Sequence, residues 1–314
     1  MSAPEITLLC DAADELGESP VWSPDDNRLW WVDIAGQAIR RLDLGDGGRA
    51  SFAMPFQPGA LALGADGAPV VAGGTGWSQV DPVTGALSPI AAVEGAPAGV
   101  RMNDGAVDLQ GRYWAGTVSL AAERPPVGTL YRLDEGGPVA VVEGLRTQNG
   151  VAVSPDGGTL YLADSHPDIC AIWAFDLDAE TGALSNRRVF HRPAHGRPDG
   201  AAVDAEGCYW FAAIDAGRIV RVDPEGREIA HVALPVSRPT NLAFFGPDLD
   251  RLCVTSMTVG LDAGQRAAQP LAGRLIAIDP GVRGLAQPRA TAIPAPRDGR
   301  GAETMKLEPN GGTP

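Results

Sequence analysis

Six recurrences of one strand-turn-strand unit, a spacing of roughly forty to fifty residues between them and the lack of a long amphipathic helix together predict the fold class. The chain reads as all-β: a six-bladed β-propeller of four-stranded antiparallel blades, its ring closed by the N-terminal strand.

The first copy starts at Glu18 with SPVWSPDDNRLWWVD and continues with AIRRLDLGDG, and a weaker second copy starts at Gly59 with LALGADGAPVVAG. The third, from Asn103, reads NDGAVDLQGRYWAGT and then GTLYRLDEGG. The fourth is the clearest: NGVAVSPDGGTLYLAD from Asn149 to Asp164, then AIWAFDLDAETG from Ala171 to Gly182. In it, alternating small and apolar residues make one strand, Pro-Asp-Gly the turn, Leu-Tyr-Leu the second strand and Ile172 to Asp176 a third. The fifth copy, around Asp199, reads PDGAAVDAEGCYWFAA and GRIVRVDPEG, and the sixth, from Thr240, carries NLAFFGPDLDRLCVTS. Starts at 18, 59, 103, 149, 199 and 240 differ by 41, 44, 46, 50 and 41 residues.

Glu5 to Cys10, EITLLC, has no unit before it and fills the place that Arg188 to His191 holds as a fourth strand. It is expected to join the last blade, which removes the exposed edges of an open arc. Residues 1–300 are thus expected to form one domain. Residues 301–314, GAETMKLEPNGGTP, show no alternation and read as a flexible tail or an expression remnant.

Hydrophobic residues at 44% and charged residues at 20% suit a globular chain with a sizeable core. Twenty-five basic against 39 acidic side chains give a net charge of −14, which repels nucleic acid and anionic lipid. The N-terminal residues lack the basic start and apolar run of a secretory signal, and no stretch is long enough to span a membrane, so a cytoplasmic location is expected. Cys10, Cys170, Cys208 and Cys253 are too scattered for a disulfide scaffold or zinc motif and read as reduced, mostly buried thiols.

Aligning the copies puts Glu18, Gly59, Asn103, Asn149, Asp199 and Thr240 at one position, just ahead of each innermost strand. In a propeller such positions ring one mouth of the central channel, so side chains distant in sequence converge. Close carboxylates repel in a low-dielectric pocket, and a divalent cation relieves that while taking amide oxygens as neutral ligands. Oxygen donors suit hard cations. Asn-Gly and Asp-Gly also make ordinary turns; four polar residues at matching positions, with Glu18 outside any glycine dipeptide, favour the cation.

The motifs GESPVW (Gly17 to Trp22), RMNDGAVDLQGRYWAGT (Arg101 to Thr117), QNGVAVSPDG (Gln148 to Gly157) and RPDGAAVDAEG (Arg197 to Gly207) resemble those of the gluconolactonase family of sugar lactonases, which also contains regucalcin, the senescence marker protein. The resemblance spans about Glu15 to Leu285. It implies that Glu18, Asn149 and Asp199 ligate one divalent metal ion: Ca2+ or Zn2+ foremost, with Mn2+, Mg2+ or Fe2+ as alternatives. It also implies that Arg101 and Asn103 orient substrate and the attacking water. Arg101 otherwise reads as a surface ion-pair residue. One departure is visible: several relatives carry acidic residues where this chain has Val118, Ser119, Leu120 and Ala121, and Glu123 is the nearest acid.

The expected reaction is metal-dependent opening of a sugar lactone to its aldonic acid, with Asp199 activating water and Asn103 holding it. A small-molecule lactone is the expected partner, and the chain is expected to be a monomer or weak homo-oligomer. The alternatives are a phosphotriesterase-like hydrolase on the same fold and a non-enzymatic calcium-binding protein. His191 and His195, in HRPAH, read as loop residues, since nearby prolines oppose the helix a metal pair would need. Trp22, Trp30, Trp31, Tyr113 and Trp114 read as blade packing, with a few free to stack on a sugar at the mouth.

Overall fold

The computed structural model describes residues 5–296. Six four-stranded antiparallel sheets follow one another around a ring. Their innermost strands are Gly17–Ser23, Pro58–Leu63, Val100–Val107, Gln148–Val153, Arg197–Val203 and Pro239–Phe245. In blades one to five the strands run outward in chain order, and in blade six the outermost strand is Ile6–Cys10, paired antiparallel with Leu275–Ile278. The closing strand is therefore where the sequence places it. The one helix among the described residues, Ala263–Ala268, is a single exposed turn and a half with an Asp262 capping box. No helix among the described residues is long and apolar enough to cross a membrane.

Burial follows position in the blade. The inner strands of blades one, two and six are buried throughout because a neighbouring blade packs on each face: Leu61 and Leu63 of blade two meet blade one, and Ala60 and Ala62 meet blade three. The outer strand Arg49–Ala53 alternates between exposed and half-buried, as a sheet edge washed by solvent does. The core is divided into layers between blades: Trp30 and Leu61 join blades one and two, Trp77 and Tyr113 blades two and three, and Trp210 and Phe244 blades five and six. Each buried tryptophan removes about 150–250 Å2 from water, roughly 4–6 kcal/mol of gross stabilisation. All five aromatic residues singled out in the sequence are at most 7% exposed. Packing is therefore their role, and the expectation that some stack on a sugar is corrected. Cys10, Cys208 and Cys253 are buried and Cys170 half-buried, all as free thiols.

The last described segment passes across the far ends of the inner strands. The Arg283 carbonyl accepts from Ala205 N at 2.9 Å, Gly284 N donates to Leu249 O at 2.8 Å, and Ala290 N donates to Leu63 O at 2.8 Å. The Gln287 carboxamide accepts from Trp22 N at 3.1 Å and donates to Pro20 O at 3.3 Å. Thr291 N and Ala292 N both reach Gly111 O at 3.1 Å. Leu285 to Pro288 line an axial cavity of about 220 Å3 whose other wall includes Asp104 and Asn241. The expected tail, residues 301–314, lies outside the described residues.

Candidate active site

Every inner strand breaks register at the same place: between Glu18 and Val21, Pro58 and Ala60, Met102 and Gly105, Asn149 and Ala152, Pro198 and Ala201, and Pro239 and Leu242. A bulge of this kind leaves residues unpaired and bends the strand, which re-aims their side chains. The residues expected just ahead of the inner strands in fact sit inside them, at these bulges. Five of the six bulges skip two consecutive residues, and that of blade two skips Gly59 alone. Asn241 donates to Glu18 Oε2 at 2.8 Å and to Asp104 Oδ1 at 3.1 Å. Blades three and six are opposite each other in the ring, so the bond from Asn241 to Asp104 crosses the axis.

Arg101 Nη1 donates to Asn103 Oδ1 at 2.7 Å and to Met102 O at 2.8 Å. Asn103 Nδ2 passes the chain on to Gln148 O at 2.6 Å and Asn149 Oδ1 at 2.9 Å. Asn149 Nδ2 donates to Ser165 Oγ at 2.8 Å, which fixes the orientation of its amide, and Ser165 in turn bonds to Pro198 O beside Asp199. The five residues expected from the sequence, Glu18, Arg101, Asn103, Asn149 and Asp199, thus meet on the axis. Glu18, Arg101, Asn149 and Asp199 are at most 8% exposed. Thr240 does not join them: its hydroxyl donates to Gly17 O and meets Thr255 Oγ1.

Asp104 and Asn241 belong to the site and are additions to the sequence-derived set. Both follow an aligned position by one residue, where the fourth and fifth copies have Gly150 and Gly200. A Cβ at Gly200 would overlap the Asn241 carboxamide, and one at Gly150 the Tyr209 hydroxyl and the Asp199 carbonyl. Gly59 is likewise hemmed in by the Met102 and Asn103 carbonyls. Small residues on some blades make room for polar ones on others.

The electrostatics are strained. Burial, then the Asp104 charge, pushes the Glu18 carboxyl from 4.5 to about 8. Burial pushes Asp104 from 3.8 to about 6, while backbone N–H groups of Val151 and Gly105 and the Asn241 amide pull it back. Burial, then Glu18 and Asp104, raises Asp199 well above the ordinary carboxylate range. Among the described residues none donates a hydrogen bond to the Asp199 side chain. Arg101 is lowered to about 10 by burial and then by Arg124, against the pull of Glu18 and Asp199.

Three converging carboxylates, one without a donor, fit a divalent counter-charge. Among the described residues no three His, Cys, Asp or Glu side chains group closely enough to hold a metal ion by themselves, and the site adds amide oxygens to its carboxylates. Asn149 supplies one of the right type. The donors are all oxygen, which suits a hard ion.

Other sequence features fall elsewhere. Glu123 is exposed, and its backbone carbonyl, not its carboxylate, is engaged, by Arg146 Nη2 at 2.8 Å. His191 ends a strand, Leu184–His191, with Nδ1 3.0 Å from Gly226 O, which agrees with the fourth-strand expectation for Arg188 to His191 and corrects the loop reading at His191 alone; His195 lies in the loop beyond it. Arg101 has no carboxylate within ion-pair distance among the described residues, so the surface-pair reading does not hold.

Residues 16–258 match the family model described as the SMP-30/Gluconolactonase/LRE-like region. The chain is 37% identical over 277 residues to the 6-deoxy-6-sulfogluconolactonase of Pseudomonas putida, with 87% of this chain and 94% of that protein covered. It is 35% identical over 296 residues to regucalcin of Xenopus laevis, covering 91% and 98%. Among solved structures, the calcium-binding protein regucalcin of Agrobacterium tumefaciens superposes with a TM-score of 0.86 at 31% identity, over 92% of this chain and 98% of that one.

Proposed function

The chain belongs to the SMP-30/gluconolactonase/LRE-like family, and from that premise we propose that it is a lactonase that hydrolyses a sugar lactone to the corresponding aldonic acid. We also take residues 1–300 as the single unit that carries the activity. The observation that carries the reading is Asp199: a carboxylate 7% exposed, with no hydrogen-bond donor and two further carboxylates facing it.

Glu18, Asn149 and Asp199 would hold one divalent cation, Ca2+ or Zn2+ first, which when bound supplies Lewis-acid polarisation of the lactone carbonyl. The protein's own groups do the rest. Asp199 takes a proton from water as the water oxygen attacks the carbonyl carbon. The bond from that carbon to the ring oxygen then breaks, and the ring oxygen leaves as a hydroxyl by taking from Asp199 the proton that came from water, which returns Asp199 to its carboxylate form. Asn103, held between Arg101 and Asn149, keeps its amide toward the water or the substrate. Arg101 offers Nε and Nη2, which make no hydrogen bond within the described residues, to the sugar.

The test is turnover of a panel of aldonolactones by the chain loaded with each cation in turn, beside Asp199→Asn. Cation-dependent ring opening that Asp199→Asn loses supports the reading; equal turnover by both proteins overturns it. The oxygen-only donor set also favours a second reading, a calcium-binding protein without turnover. Tight Ca2+ binding with no lactone opened under any cation would select it.

A further inference from the structure

Five arginines, Arg101, Arg124, Arg146, Arg197 and Arg238, gather at this end of the ring although the chain carries a net charge of −14. Most of them are spoken for. Arg146 pairs with Asp168 at 2.7 Å, and Arg197 and Arg238 share Asp215 at 2.7 and 2.8 Å. Arg101 and Arg124 have no carboxylate within ion-pair distance among the described residues. Arg124 is therefore a half-buried cation without a carboxylate partner among those residues, and its charge acts on Arg101.

Arg124 is placed by structure, not by chance of a loose loop. Its Nη1 donates to Ser119 O, and Ser119 is the register partner of Val100, next to Arg101, whose own partner is Val118. Leu120 N donates to Gly99 O at 2.8 Å, tying the start of the loop to the same strand. Arg146 grips the loop's backbone, Nε to Arg124 O and Nη2 to Glu123 O, both at 2.8 Å. Arg124 itself has φ 47°, a left-handed conformation that side chains other than glycine adopt at a cost and that surrounding contacts must enforce. Nε and Nη2 of Arg124 make no hydrogen bond within the described residues. The Arg101 and Arg124 side chains thus stand at the same end of blade three, near enough for the Arg124 charge to act on Arg101, and both have donors to spare.

We propose that Arg124, with Arg101, seats an anionic substituent, so that the preferred substrate is a sugar lactone bearing a sulfonate, phosphate or carboxylate group distant from its reacting carbonyl. This rests on the lactonase reading. Arg124 acts on which lactone binds; it touches none of the atoms that react. Planar guanidinium forks match such oxyanions bidentately.

The experiment compares gluconolactone with its 6-sulfo, 6-phospho and 6-carboxylate counterparts at equal cation loading. At least one charged lactone is expected to exceed the neutral one in kcat/KM by roughly tenfold or more, mainly through KM. That advantage shrinks as salt rises, since ions screen the attraction. Arg124→Gln collapses the ratio toward one, and Arg124→Lys restores part of it. A neutral lactone processed as well as every charged one, or a ratio that Arg124→Gln leaves intact, overturns the proposal. Calorimetric binding of the ring-opened 6-sulfo acid is read separately from turnover. Should no lactone be opened, the lactonase reading fails alone if this acid still binds more tightly than gluconate and Arg124→Gln removes the difference; equal binding of the two acids overturns the seat as well.

Discussion

Asp199 and Asp204 belong to one blade and are 7% and 0% exposed, yet their surroundings are opposite. Asp204 accepts from Glu206 N and Cys208 N at 2.9 Å and from Trp210 Nε1 and Arg221 Nε at 2.8 Å. Asp108 repeats the pattern in blade three, with Gln110 N and Arg112 N at 3.0 Å, Trp114 Nε1 at 2.8 Å and Arg112 Nε at 2.6 Å. Asp199 has no such donor and faces two like charges. A buried carboxylate with every lone pair answered staples its blade; one left unanswered raises the energy of the empty fold and waits for a ligand.

The largest effect separates the two by stability. Asp204→Ala leaves the Trp210 N–H and the Glu206 and Cys208 backbone N–H groups without their acceptor and the Arg221 guanidinium with only the exposed Glu206 carboxylate, and a loss of about 3–5 kcal/mol is expected in urea unfolding. A loss no larger than that of Asp199→Asn would erase the distinction. Next, Asp199→Asn is expected to lower lactone turnover by about 10²–10³-fold while the cation-free protein is at least as stable as the parent. Kinetics and unfolding on the same preparation check both halves.

Asn241→Ala removes the donor shared by Glu18 and Asp104, and calorimetry should find cation affinity about 10–100-fold weaker with the β-sheet circular dichroism unchanged. The smallest effect is in pH. Glu18 rises from 4.5 to about 8 in the cation-free fold, so between those values the folded chain holds a proton that the unfolded chain has released. Its contribution to stability therefore grows as pH falls from about 8 toward 4.5. The cation-free parent is expected to gain a few degrees in melting temperature relative to Glu18→Gln on going from pH 8.5 to 6. No relative gain would mean that Glu18 is ionised throughout.

The ring is legible in the sequence because each blade repeats the same demands: a small-apolar inner strand, a Pro-Asp-Gly or Asp-x-x-Gly turn, and an aromatic strand to fill the gap between blades. Glu18, Asn103, Asn149 and Asp199 are legible because the repeat aligns them. Asp104 and Asn241 are not, because alignment weighs one position per copy whereas the bulges of blades three and six each take in two. The available signal is Asp104 itself, a carboxylate where the fourth and fifth copies have glycine. Arg124 lies in the loop between the second and third strands of its blade, whose length changes from blade to blade, so the repeat aligns nothing with it. Its direction depends on Ser119 and Arg146, contacts that no local pattern encodes.

The segment from Arg283 to Ala292 laces together five blades from beneath: the sixth at Leu249, the fifth at Ala205, the first at Trp22 and Pro20, the second at Leu63 and the third at Gly111. Such stitching sets the girth of the ring, and the girth sets how closely oxygens from facing blades approach. Cutting that lace by a nick near Gly284 is expected to widen the bore and loosen the grip on the ion, so the run is a tensioning cord drawn across the floor of the cavity that Asp104 and Asn241 wall.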